Sequence, residues 1–295
     1  MTLRILIVSL FALALTIPTL ADSRIEKTLS LAPGGRFVLD ADSGSVSVAG
    51  SDQSGANIVI TSNRDDLQNL FEFKFEEDAG AVRVRAERRS SWGWFDSLNL
   101  HYEIRVPKSV TLDIKTGGGG IELSSIAGDA ELKTSGGSIQ VSGLTGKLHA
   151  QTSGGHVRAE EVQGDADLET SGGGIEADAV DGALTARTSG GSIHIERVTG
   201  RVEAHTSGGG ITAVLSKKNA HGGALETSGG SISASVDPAA NLEIEASTSG
   251  GHVSSDLPIR VSGSISSHSL HGSLGNGGET LLLHTSGGSI HLAAL

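Results

Sequence analysis

The chain has 295 residues carrying 22 Lys and Arg against 34 Asp and Glu, a formal charge of −12. This argues against nucleic acid and anionic membranes as partners, because their phosphates would repel it. Glycine, at 42 residues, stands well above ordinary usage, yet proline numbers only 5 and mean hydropathy is near zero, which excludes both collagen and a flexible linker. The lack of cysteine removes disulfide frameworks, thiol nucleophiles and Cys-ligated zinc.

Residues 1–21 open with Arg4, continue through an apolar run from Ile5 to Ile17 broken only by Ser9 and Thr16, and end at Pro18, Thr19, Leu20 and Ala21. That layout is a secretory signal peptide cut before Asp22, the alternative being an uncleaved N-terminal anchor. The run falls short of the roughly 20 apolar residues of a membrane span, and no later segment approaches it. The expected mature protein is therefore periplasmic or secreted, with no transmembrane segment.

Residues 22–115 read as an N-terminal β-rich cap region. Period-two alternation marks Phe37-Val38-Leu39, Ser45 to Val48, Asn57 to Thr61, Phe71 to Glu76, Val82 to Glu87, His101 to Val106 and Val110 to Lys115. Asp78-Ala79-Gly80 suits a hairpin turn between the fourth and fifth of these runs. Outside the leader every aromatic residue lies here: Phe37, Phe71, Phe73, Phe75, Trp92, Trp94, Phe95 and Tyr102. Trp92, Trp94 and Phe95 sit in a Gly-containing segment next to Arg88 and Arg89, either as a plug in the core of this region or as an exposed contact patch. Exposed, these five residues are the best ligand-binding candidate in the chain.

Residues 116–295 are a repeat. Thr-Ser-Gly-Gly begins at Thr134, Thr152, Thr170, Thr188, Thr206, Thr227, Thr248 and Thr285, with Thr-Gly-Gly-Gly at Thr116, and the spacing is 18 residues five times, then 21, 21 and 37. Apolar residues alternate with polar ones on both sides of each turn, so each unit is two short strands. Eighteen residues cannot bury their own apolar face, and successive units must stack in parallel. The fold class is all-β, a β-solenoid of the parallel β-helix type, with each repeat Thr pointing inward; an antiparallel set of hairpins is the alternative, and it does not explain the constant phase. Glycines are required at the corners by tight backbone angles and by the closeness of stacked turns. The 37-residue interval is close to two periods, and residues 267–274 are expected to hold a degenerate coil.

The tandem Thr-Ser-Gly-Gly-x-Ile-x-Val units, preceded by Asp42-Ser43-Gly44-Ser45-Val46-Ser47-Val48 and by Arg105-Val106-Pro107, resemble the bacterial "putative adhesin" family of exported β-strand-repeat proteins over residues 30 to 295. The resemblance implies a solenoid, export and a binding or envelope-associated role. It brings no catalytic residues with it.

Known chemistries find little support. The repeat lacks the aromatic platforms and carboxylate groove of a polysaccharide-active lyase or hydrolase; the Asp of calcium-binding β-rolls, a nucleophile elbow and a phosphate loop are likewise missing. His268, His271 and His284 fall in neighbouring coils and form a candidate zinc or copper site. No other cofactor is expected. The reading is a non-enzymatic exported binding or scaffold protein whose partner is an envelope protein or glycan. Its rivals are a polysaccharide-active enzyme and a structural protein assembling end to end. After Thr285 the chain carries Ile290, Leu292, Ala293, Ala294 and Leu295, and this C-terminal coil is expected to leave an open edge for weak self-association.

Overall fold

The computed structural model describes residues 23–89, 98–215, 219, 221–262 and 266–295; the leader lies outside them. Two long sheets of 13 and 14 strands face each other, and the chain alternates between them. In each regular coil a five-residue strand ending in the repeat Thr lies in the second sheet, such as Ala130–Thr134, Leu148–Thr152 or Ala166–Thr170. The Ser-Gly-Gly turn carries the chain across to a strand of the first sheet, such as Ile139–Thr145 or Val157–Gln163. Alternation decides the orientation: Leu132, Ile139, Val141 and Ala150 are buried, and the residues between them face solvent. Each strand pairs in parallel with its copy one coil away, Thr134 against Thr116 and Thr152. Through the repeat the core is a single layer of Ile, Val, Leu and Ala between the sheets, thin enough to need no aromatic residue; Phe37, Phe71 and Tyr102 enlarge it only in the first region.

The first region extends both sheets. In chain order it comprises β1 (Ser23–Leu29), β2 (Arg36–Ala41), β3 (Ser45–Ser51), β4 (Ala56–Ser62), the short α1 (Leu67–Leu70), β5 (Phe71–Asp78), β6 (Ala81–Arg88), β7 (Leu100–Pro107) and β8 (Thr111–Thr116), and β9 (Ile121–Ala127) follows the first repeat turn. The β2–β3 pair is a coil like those of the repeat and lies between the β6–β7 pair and the β8–β9 pair, with parallel pairing on both sides. Antiparallel strands finish this end, β7 with β4, β4 with β1, and β6 with β5 through the hairpin at Ala79-Gly80.

The other end departs from the order of the sequence. Strand Glu279–Thr285 lies between Gly223–Thr227 and Leu242–Thr248, and Ile290–Ala294 lies between Ile232–Val236 and Val253–Ser255. The last coil in the chain is thus the penultimate coil in space. This overturns the open C-terminal edge: Leu292 is fully buried, its strand is paired on both sides, and Leu295 donates its N–H to the Val236 carbonyl. Residues 267–274 are no degenerate coil either. Ser269–Leu274 pairs antiparallel with Leu242–Thr248, and Arg260–Val261 covers it in turn.

Candidate functional site

The surface is set by what holds the coils in phase. Every repeat Thr is buried, and its hydroxyl donates to a turn carbonyl of the preceding coil: Thr134 to Gly119, Thr152 to Gly137, Thr170 to Gly155 and Thr188 to Gly173, at 2.7–2.8 Å. The same bond confirms the spatial order at the far end, where Thr285 donates to Gly230 and Thr248 to Gly288. The second glycine of each turn is dictated by crowding: a Cβ on Gly137, Gly155 or Gly173 would overlap the carbonyl of the glycine one coil before it. None of these three has a positive φ, so close approach, and not a special backbone angle, demands glycine there.

Locked in this way, the coils present their outward side chains in rows at the strand spacing of about 4.8 Å. On the second sheet Asp113 is flanked by Arg36 and Lys115 at 3.1 Å each, Glu131 by Lys133 at 2.7 Å, and Asp167 by His149 at 3.2 Å and Arg187 at 3.3 Å. Hydrogen bonding from Lys133 holds the Glu131 carboxyl below its usual range. On the first sheet Arg158 bridges Glu160 and Glu176, and His194 meets Glu196 at 2.9 Å. A shallow groove of about 580 Å³ runs over the second sheet and its turn, lined by Arg36, Glu131, Lys147, His149, Asp167 and Arg187 among others. Composition hid this groove, since its acidic and basic residues are mixed; the 18-residue spacing of His149 and Asp167, paired one coil apart, is the signal that locates it. A second groove, of about 570 Å³, lies near the first turns between Ser45, Asn63, Asn99, His101 and Gly119.

The sequence-derived candidates are distributed differently. Trp92, Trp94 and Phe95 lie outside the described residues. Arg88 and Arg89 serve the local fold: the Arg88 guanidinium stands 6.0 Å from the Phe71 ring and the Arg88 backbone N–H donates to Asp42 at 2.7 Å, while the Arg89 guanidinium donates to the Phe71 carbonyl at 3.4 Å. The three histidines do not come together. His271 is opposite Glu245, His284 pairs with Ser247 at 3.0 Å on the other flank of the same central strand, and His268 bonds Ser267. Among the described residues no group of three or more His, Asp or Glu could hold a metal ion; the intervening strand keeps the imidazoles apart.

No helix among the described residues is long and apolar enough to cross a membrane. A search of curated proteins finds no match. Solved structures similar to this chain include a putative adhesin from Bacteroides fragilis, 14% identical over 92% of this chain and 97% of that one with a TM-score of 0.42. A putative lipid binding protein from Parabacteroides distasonis is 14% identical over 92% and 96%, with a TM-score of 0.41. A putative cell adhesion protein from Clostridium sporogenes is 10% identical over 93% and 100%, with a TM-score of 0.26. The Toastrack DUF4097 family model matches residues 35–293, nearly the whole two-sheet stack, and the chain belongs to that family.

Proposed function

We propose that this protein is exported and acts at the cell envelope as a non-enzymatic binding scaffold, its partner a repetitive polar component, glycan or protein, laid along the sheet faces. The observation that carries the reading is the stack itself: rigid rows of charged and small polar side chains, recurring at strand spacing and many of them paired within the chain. Such a surface suits many weak, regularly spaced hydrogen bonds to an extended partner. It does not suit hydrolysis, because a general acid needs a carboxyl held protonated near neutral pH. Glu131, which lines the groove, is pushed the opposite way by the hydrogen bond from Lys133.

The experiment is to pass the mature protein over immobilised envelope polysaccharides and over detergent-solubilised native envelope, scoring retention and turnover separately. Retention without turnover is expected, weakened several-fold by Arg187→Ala or Asp167→Asn in the groove. Cleavage of any glycan overturns the reading.

A further inference from the structure

The two ends of the stack are finished unequally. At the far end the outermost strands are Val253–Ser255 and Arg260–Val261, only three and two residues long, which is how proteins blunt a sheet edge against pairing. At the near end they are β1 and β5, seven and eight residues long, and among the described residues neither has a strand partner on its outer side. Their inward rows are half-finished core: Ile25 and Leu29 of β1 and Phe73 and Phe75 of β5 pack on the core and remain partly exposed. We propose that two copies of the chain join through these edges, β1 to β1 and β5 to β5, about one two-fold axis.

The charges select the register. Antiparallel pairing of two identical strands about a two-fold places residues of the same parity opposite one another. Centred on Phe73, it sets Glu72 opposite the second copy's Lys74, twice by symmetry, with Phe73 against itself and Phe71 against Phe75. Centred on Lys74, it would oppose Lys to Lys and Glu72 to Glu76; centred on Phe75, it would set Lys74 opposite Glu76 but also oppose Glu72 to Asp78 and lay Phe73 against Glu77. In β1 the register centred on Ile25 sets Arg24 opposite the second copy's Glu26, again twice, whereas centring on Arg24, Glu26 or Lys27 opposes like charges. Opposite charges directly across a strand pair are stabilising and like charges destabilising.

The two favoured centres coincide in space. Lys27 reaches across the sandwich to within 5.9 Å of the Phe75 ring, and the Ser30 N–H donates to Glu77 at 3.1 Å. The two edges therefore run side by side in the same direction, and stepping back two residues from the Lys27–Phe75 contact brings Ile25 level with Phe73. One axis serves both sheets. Both continue across it, and the exposed parts of the Phe and Ile rows become interior.

The test is sedimentation of the full mature chain from micromolar to sub-millimolar concentration, with circular dichroism to confirm folding. The wild type is expected to dimerise. Lys74→Glu should weaken the dimer by at least about tenfold, and Glu72→Lys with Lys74→Glu together should restore it, because only the Phe73-centred register exchanges those two positions. An independent arm uses the lack of native cysteine: Phe73→Cys should form an intermolecular disulfide under mild oxidation, since opposed residues lie within bridging reach, whereas Ser254→Cys at the blunted end should not. A wild type that stays monomeric, a dimer indifferent to Lys74→Glu, or cross-linking at Ser254 in place of Phe73 overturns the proposal.

Discussion

At the residue scale the turns of the repeat are kept in phase by the Thr hydroxyl and by one absent side chain, in addition to the strand ladders. Thr170→Val keeps shape and removes the hydroxyl that satisfies the Gly155 carbonyl, so a loss of about 1–2 kcal/mol is expected in thermal or denaturant unfolding. A second feature escapes any count of glycines. Ser125, Gly143, Glu161, Ala179 and Arg197 stack 18 residues apart, all with φ between 55° and 67°, at the kink where the first-sheet strand bends towards the second turn. Only Gly143 suits that region. Gly143→Ala should destabilise by about 1 kcal/mol through backbone strain alone, since an added Cβ would meet only ordinary contacts, and Ala179→Gly should stabilise by up to about 1 kcal/mol. Tyr102, the only tyrosine, buries a hydroxyl with no hydrogen-bond partner among the described residues. Burial and then the Asp42 charge push its phenol well above the usual range. A folded-state pKa raised in this way gives stability that is complete below the ordinary phenol value of about 10 and declines as pH climbs beyond it. Tyr102→Phe should match or exceed the wild type at neutral pH, and its unfolding midpoint should fall less steeply in alkali.

At the scale of elements the inserted C-terminal pair is the critical piece. Among the described residues, the strands Leu242–Thr248 and Val253–Ser255 are paired to the stack through Glu279–Thr285 and Ile290–Ala294, so they and Ser269–Leu274 depend on a segment made after them. Leu283 is fully buried in that segment. Leu283→Asp places a carboxylate in the apolar layer, a change expected to exceed about 3 kcal/mol locally. Hydrogen exchange should then show strands Leu242–Thr248, Val253–Ser255 and Ser269–Leu274 losing protection together with Glu279–Thr285 and Ile290–Ala294, while coils 121–206 keep theirs. Uniform loss across the chain would mean that the stack unfolds as one unit.

The whole molecule is quasi-one-dimensional, each coil touching only its neighbours, and such arrays lose structure from their ends. Both ends here are fastened by a coil taken out of sequence order: β2–β3 set inside β6–β7 at one, and the C-terminal pair set inside Leu242–Thr248 and Val253–Ser255 at the other. Protection against exchange is expected to peak in the regular coils between Ile121 and Thr206. If the near end pairs with a second copy, protection of β1 and β5 should rise with protein concentration and that of Val253–Ser255 should not.

The sequence by itself determined the all-β class, the 18-residue period, the inward Thr and the alternation that makes two sheets, because these follow from phase: a strand flips every second residue, and identical residues recur at identical positions. Phase also set the polar residues of each strand on the outer face. What it could not determine is order. Coils with the same Thr-Ser-Gly-Gly register present interchangeable edges, so the text of the repeat is equally consistent with Thr285 lying beyond Thr248 or between Thr227 and Thr248. Only the tertiary structure decided, by seating Leu281 and Leu283 beside Gly223 and Leu225 on one side and Ile244 and Ala246 on the other. The same holds for His268, His271 and His284: proximity between these coils depends on which strand lies between them, and that is a property of the assembled sheet.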